Sequence, residues 1–68
     1  MIKAGDLISF KGNYIILDND KAKIEMNIKA REGIVLEIHS GSAKTFSENE
    51  ICILGLADLD ICLIEKLA

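Results

Sequence analysis

The 68-residue sequence predicts an all-β fold, a small barrel or sandwich of five to seven short antiparallel strands, on three observations. Short apolar runs recur about every 8–12 residues with Gly, Asn, Asp or Ser between them, the spacing of a small all-β domain. Residues 21–32 alternate strictly between apolar and polar, the period of a strand with two unlike faces. Two runs, Ile51-Cys52-Ile53-Leu54 and Ile61-Cys62-Leu63-Ile64, are apolar at every position, which implies cover on both faces. Closing such a sheet also removes edges that so small a chain has little else to cover.

Each segment follows from its residues. Gly5-Asp6 and Lys11-Gly12-Asn13 bracket Leu7-Ile8-Ser9-Phe10, and Asn13 opens Tyr14-Ile15-Ile16-Leu17, so the sequence predicts a first hairpin turning at Gly12. Asp18-Asn19-Asp20 forms the next turn. Lys, Ala, Glu, Met and Arg in residues 21–32 are good helix formers. On a helix, however, Met26 would lie about 160° from the stripe of Ile24 and Ile28, so the segment reads as a strand. Ala22, Ile24, Met26, Ile28 and Ala30 then share one side. Gly33 leads into Ile34–His39, with Ile34, Leu36 and Ile38 expected to face in; Ser40-Gly41-Ser42 turns into Ala43–Phe46, and Ser47-Glu48-Asn49 turns into Glu50–Leu54. Gly55-Leu56-Ala57-Asp58 is expected to make one short helical turn before a last strand, Leu59–Glu65.

Composition narrows the function. The chain is 50% hydrophobic with a net charge of −3, which excludes a disordered chain and argues against a general polyanion binder. One domain of this size buries only about 60% of its unfolded surface. Charge is divided: residues 1–44 hold seven basic and six acidic side chains, whereas residues 45–68 hold five acids against Lys66. Two cysteines cannot frame a disulfide-dense domain, no secretory leader is expected before the first strand, and no apolar run comes near the ~20 residues a bilayer requires. A cytoplasmic setting without membrane contact is therefore expected, with Cys52 and Cys62 as buried free thiols.

Three segments carry a family resemblance. Lys3-Ala4-Gly5-Asp6-Leu7-Ile8-Ser9-Phe10 resembles the opening strand of small SH3-like barrels, including the KOW-type forms found as stand-alone bacterial and phage proteins. Glu32-Gly33-Ile34-Val35-Leu36-Glu37-Ile38 resembles their central glycine-initiated strand, and Leu56-Ala57-Asp58-Leu59-Asp60-Ile61 their closing turn and last strand. The resemblance implies an SH3-like barrel, with an OB-like barrel as the alternative, and an accessory or inhibitor protein of a bacterial or phage system. The chain departs from the family in the roughly twenty residues, including an extra alternating strand, before Gly33. It also has only Phe10, Tyr14 and Phe46 as aromatics, too few for a groove that holds proline-rich peptides.

The candidate sites point to binding. With one face of each C-terminal run in the core, Cys52, Leu54, Cys62 and Ile64 remain as a second apolar face, expected to meet another copy or a protein partner. Lys21, Lys23, Lys29 and Arg31 share the polar side of residues 21–32, interrupted by Glu25. They offer an alternative nucleic-acid surface with Tyr14 or Phe10 stacking a base. The same stripe is also suited to meet the acidic C-terminal half of a second copy. His39 lacks a nucleophile and an orienting partner in its sequence neighbourhood, and Asp58 and Asp60 sit where a turn cap and an edge charge are expected. Gly41 and its serines lack the lysine of a phosphate loop. No cofactor, metal or catalytic signature emerges. The chain is expected to be a non-enzymatic adaptor acting through self-association or a protein partner, with an oligomeric small-ligand binder as a further alternative.

Overall fold

Apolar alternation from Ile8 to Ile16 holds one strand together across a glycine. In the computed structural model, which describes residues 2–19 and 21–67, Asp6–Asp18 is a single thirteen-residue strand, β1. The hairpin expected at Lys11-Gly12-Asn13 does not form. Gly12, at φ 125°, lets β1 bend without reversing, and a Cβ there would stand 3.4 Å from Leu59 Cγ. The chain reverses at Asn19 (φ 48°), closed by the Asp18–Lys21 pair.

Residues 21–32 are strand, as their alternation predicts, and Gly33 does not interrupt them: β2 runs Lys21–His39, nineteen residues. β3 (Ser42–Ser47) and β4 (Glu50–Gly55) follow through two-residue loops. Ser40 and Gly41 have φ of 30° and 84°, and Glu48 and Asn49 have 50° and 64°. Two successive positive φ angles give a hairpin the twist its strands require. Leu56–Asp58 is a turn, not the helical turn expected, closed by the Asp58 N–H donating to the Gly55 carbonyl at 3.1 Å. No helix forms among the described residues. β5 spans Asp60–Lys66.

All pairings are antiparallel. Along one edge β1 takes β2 over most of its length. Along the other it takes β5 beside Asp6–Lys11 and β4 beside Ile15–Leu17. β3 joins β2 to β4, so the pairings return to their start, β1–β2–β3–β4–β1, with β5 added on β1. Inside lie Ile8, Phe10, Tyr14, Ile16, Val35, Ala43, Cys52 and Leu54, with Ile2, Leu56, Leu59 and Ile61 packed against them. Phe10 and Tyr14 meet edge to face at 5.3 Å. Gly33 permits the closest approach: a Cβ there would lie 2.7 Å from both the Phe46 carbonyl oxygen and Thr45 Cγ2.

This interior corrects the expected second apolar face. Cys52 and Leu54 are fully buried in the core, and Ile51 and Ile53 take the outer side of β4. Phe10 and Tyr14, offered for base stacking, are also core residues. Cys62, expected buried, is exposed, as is Ile64 in the irregular stretch where Leu7 pairs with Glu65 and Ile8 with Leu63.

Candidate interaction surface

The distal half of the β1–β2 hairpin forms an arm held to the core by Tyr14 and Ile16, and its inward and outward faces follow from register. Tyr14 and Ile16 point into the core and pair with Glu25 and Lys23, which places polar β2 residues on the inner side of the arm. Ile15 and Leu17 point outward and pair with Ile24 and Ala22. Across the other edge of β1, Ile15 pairs with Ile53 and Leu17 with Ile51, and Ile51 in turn pairs with Phe46 on β3. Directly opposed side chains on one face are neighbours about 5 Å apart. The outer face is therefore two adjoining apolar rows, Ile24–Ile15–Ile53 and Leu17–Ile51–Phe46, with Met26 continuing along β2.

Solvent reaches this face. Ile24 and Met26 are 79% and 71% exposed, and Leu17 and Phe46 are 42% and 43% exposed. Single exposed apolar side chains are ordinary, but contiguous ones mark surfaces that meet other molecules. Pairing with β1 turns the apolar side of residues 21–27 outward, because Ile16 and Tyr14 already fill the core side. Further along β2, Ile34, Leu36 and Ile38 were expected to face in; Val35 takes the core side instead, and Leu36 and Ile38 are exposed. The face itself had a signal in the sequence: Tyr14-Ile15-Ile16-Leu17 is as continuously apolar as the two C-terminal runs.

The ladder breaks at the base of the arm. Phe10 pairs with Arg31 but Gly12 with Asn27, so Ile28, Lys29 and Ala30 together oppose Lys11. This bulge is tightened by the Lys29 N–H donating to Asn27 Oδ1 at 3.3 Å, and it leaves Ile28 88% exposed. Lys21–Asn27 pairs with β1 alone, so among the described residues its second edge has no partner strand.

The basic stripe is divided by the same bulge. Lys21, Lys23 and Lys29 are exposed, but Arg31 is engaged within the molecule. Its guanidinium donates to Tyr14 Oη at 2.6 Å, the Ser47 carbonyl at 2.9 Å, Ser47 Oγ at 3.2 Å and Glu50 Oε1 at 3.1 Å. Its Nε also lies 2.9 Å from Glu48 Oε2. Burial pushes the Tyr14 hydroxyl above its usual range against the pull of Arg31. Burial acts to lower Arg31, but the hydrogen bonds to Tyr14 and Glu50 outweigh it and hold the group further toward the charged form. A cleft of about 370 Å3 beside this network is lined by Tyr14, Glu25, Asn27, Lys29, Arg31 and Glu48.

His39 is exposed beside Glu37, and Asp58 and Asp60 are exposed near Lys11 around a cleft of about 290 Å3. Burial pushes the Cys52 thiol up, away from the reactive thiolate. Among the described residues no group of three or more His, Cys, Asp and Glu is placed to hold a metal ion, and no helix is long and apolar enough to cross a membrane. Compared with known protein families, curated proteins and solved structures, the chain matches none.

Proposed function

We propose that the chain is a non-catalytic interaction module, built on a small SH3-like barrel, that works by self-association through the outer face of its β1–β2 arm. One observation carries the reading: Ile15, Leu17, Ile24, Phe46, Ile51 and Ile53 form adjoining apolar rows on a surface that nothing in the chain covers among the described residues. The circuit of pairings β1–β2–β3–β4–β1, with β5 against β1, supports the barrel. Cys62 and Ile64 lie exposed on β5, apart from this face.

The test is the solution mass, by light scattering behind a sizing column, across a hundredfold range of concentration. The wild type is expected to run as a dimer or larger, and Ile24→Lys with Met26→Lys as a monomer with an unchanged far-UV CD spectrum. Both side chains are largely solvent-exposed, so the substitutions leave the core intact. A wild type that stays monomeric throughout overturns the proposal.

A nucleic-acid role has specific support in the exposure of Lys21, Lys23 and Lys29. It is the weaker reading because Arg31 is committed to Tyr14, Ser47 and Glu50, Glu25 interrupts the stripe, and both Phe10 and Tyr14 are buried. It predicts salt-sensitive binding to a single-stranded oligonucleotide that is lost when the three lysines become Glu.

A further inference from the structure

We infer that the occupant of the arm is the same arm of a second copy, joined edge to edge through β2 in an antiparallel ladder with Ile24 on the twofold axis. The inference rests on the self-association proposed above and specifies its geometry.

Three features of the edge lead there. Among the described residues Lys21–Asn27 is a regular strand that pairs with β1 on one side only, and an unpaired edge offers its backbone N–H and C=O groups to another strand. The stretch is limited by the turn at Asn19 and by the bulge at Ile28–Ala30. Its midpoint is Ile24, so a twofold axis there pairs the entire stretch with itself, Lys21 opposite Asn27 and Ala22 opposite Met26.

Charge selects the same register. With Ile24 on the axis, Lys23 of each copy falls opposite Glu25 of the other, giving two opposite-charge pairs on the inner side of the arm. Moving the axis to Glu25 sets two carboxylates against each other. Moving it to Lys23 opposes two ammonium groups, and moving it to Met26 sets Lys23 against Lys29. Of these four registers only the one centred on Ile24 opposes no like charges. It also brings Ile24, Ala22 and Met26 of both copies together on the outer side, so the two apolar faces become one continuous surface. A contact of this kind is isologous and closes at two copies, whereas the arm pairing with the acidic β5 edge of the next molecule would not close and would grow without limit.

The experiment is a charge-reversal cross-pairing. Lys23→Glu and Glu25→Lys are made separately, and dissociation constants are read from the anisotropy of a fluorescently labelled copy at low ionic strength. Each variant alone turns both attractive pairs into like-charge pairs, and each is expected to self-associate about tenfold more weakly than the wild type. An equimolar mixture is expected to recover wild-type affinity to within about threefold, because each introduced charge then faces its opposite. The mixed species should be a dimer by light scattering. Variants that associate like the wild type, or a mixture no tighter than either alone, overturn this register while an associating wild type leaves the module's function standing. Growth beyond two copies overturns it in favour of the β5 contact. A wild type that never associates overturns both.

Discussion

Arg31 should be the polar residue on which stability depends most, and replacing it tests how the circuit of strand pairings is locked. Its side chain is 12% exposed and ties β2 to β1 through Tyr14, to the end of β3 through Ser47, and to β4 through Glu50. Two of these bonds, to the buried Tyr14 hydroxyl and the Ser47 carbonyl, are each worth about 1 kcal/mol net and leave a partner unsatisfied when lost. The more exposed Glu50 and Glu48 add at most about 1 kcal/mol together after solvent screening. Arg31→Ala is therefore expected to cost about 2–4 kcal/mol. That is a large share of the roughly 3–10 kcal/mol available to a domain of this length. In urea, with a slope of about 1 kcal/mol per molar, the midpoint should fall by about 2 M or more, followed by far-UV CD and by the fluorescence of the lone tyrosine. Tyr14→Phe alone should cost about 1 kcal/mol, and the two substitutions together less than their sum, because they share a bond. Arg31→Lys should recover only part, since an ammonium cannot span three acceptors in a planar fork. A loss below about 0.5 kcal/mol for Arg31→Ala would refute the assignment of Arg31 as the lock between the strands.

Two further expectations concern the core. Gly33→Ala places a methyl group 2.7 Å from the Phe46 carbonyl oxygen and Thr45 Cγ2, so it should destabilise by about 1–3 kcal/mol and lower the melting temperature in a thermal CD scan; an unchanged midpoint would mean β2 and β3 separate freely there. Burial raises Cys52 above its ordinary 9.0 and Tyr14 above its ordinary 10.0. The folded state thus holds protons that the unfolded chain releases first, so this contribution is complete below pH 9 and is lost as pH rises through the folded-state values. Urea midpoints measured from pH 7 to 11 should be level and then fall above about pH 9, and Tyr14→Phe should flatten the upper part of that fall; a midpoint that rises instead would contradict the sign.

Strand grammar is local and therefore legible in one sequence. The alternation of residues 21–32, the turns at Ser40-Gly41 and Glu48-Asn49, and the strand they separate all follow from neighbouring residues, because side-chain period and backbone freedom are short-range properties. Gly12 shows where this ends: its positive φ was legible, but whether the chain reverses or only bends there depends on Leu59 and on β5 pairing alongside.

Which face of a strand is interior is not local. Ile51–Leu54 is apolar on both sides, so its period carries no parity, and only pairing with Ile15–Leu17 places Cys52 and Leu54 inside and Ile51 and Ile53 outside. The same rule turned Ile24 and Met26 outward, since Tyr14 and Ile16 had claimed the core side of the arm. It likewise took Arg31 out of the basic stripe, through partners sixteen to nineteen residues away. The sequence by itself determined that this chain is all-β and carries more apolar faces than one small core consumes. Tertiary structure alone decided which of those faces meets solvent, because a one-residue change in register moves every side chain of a strand to the other side.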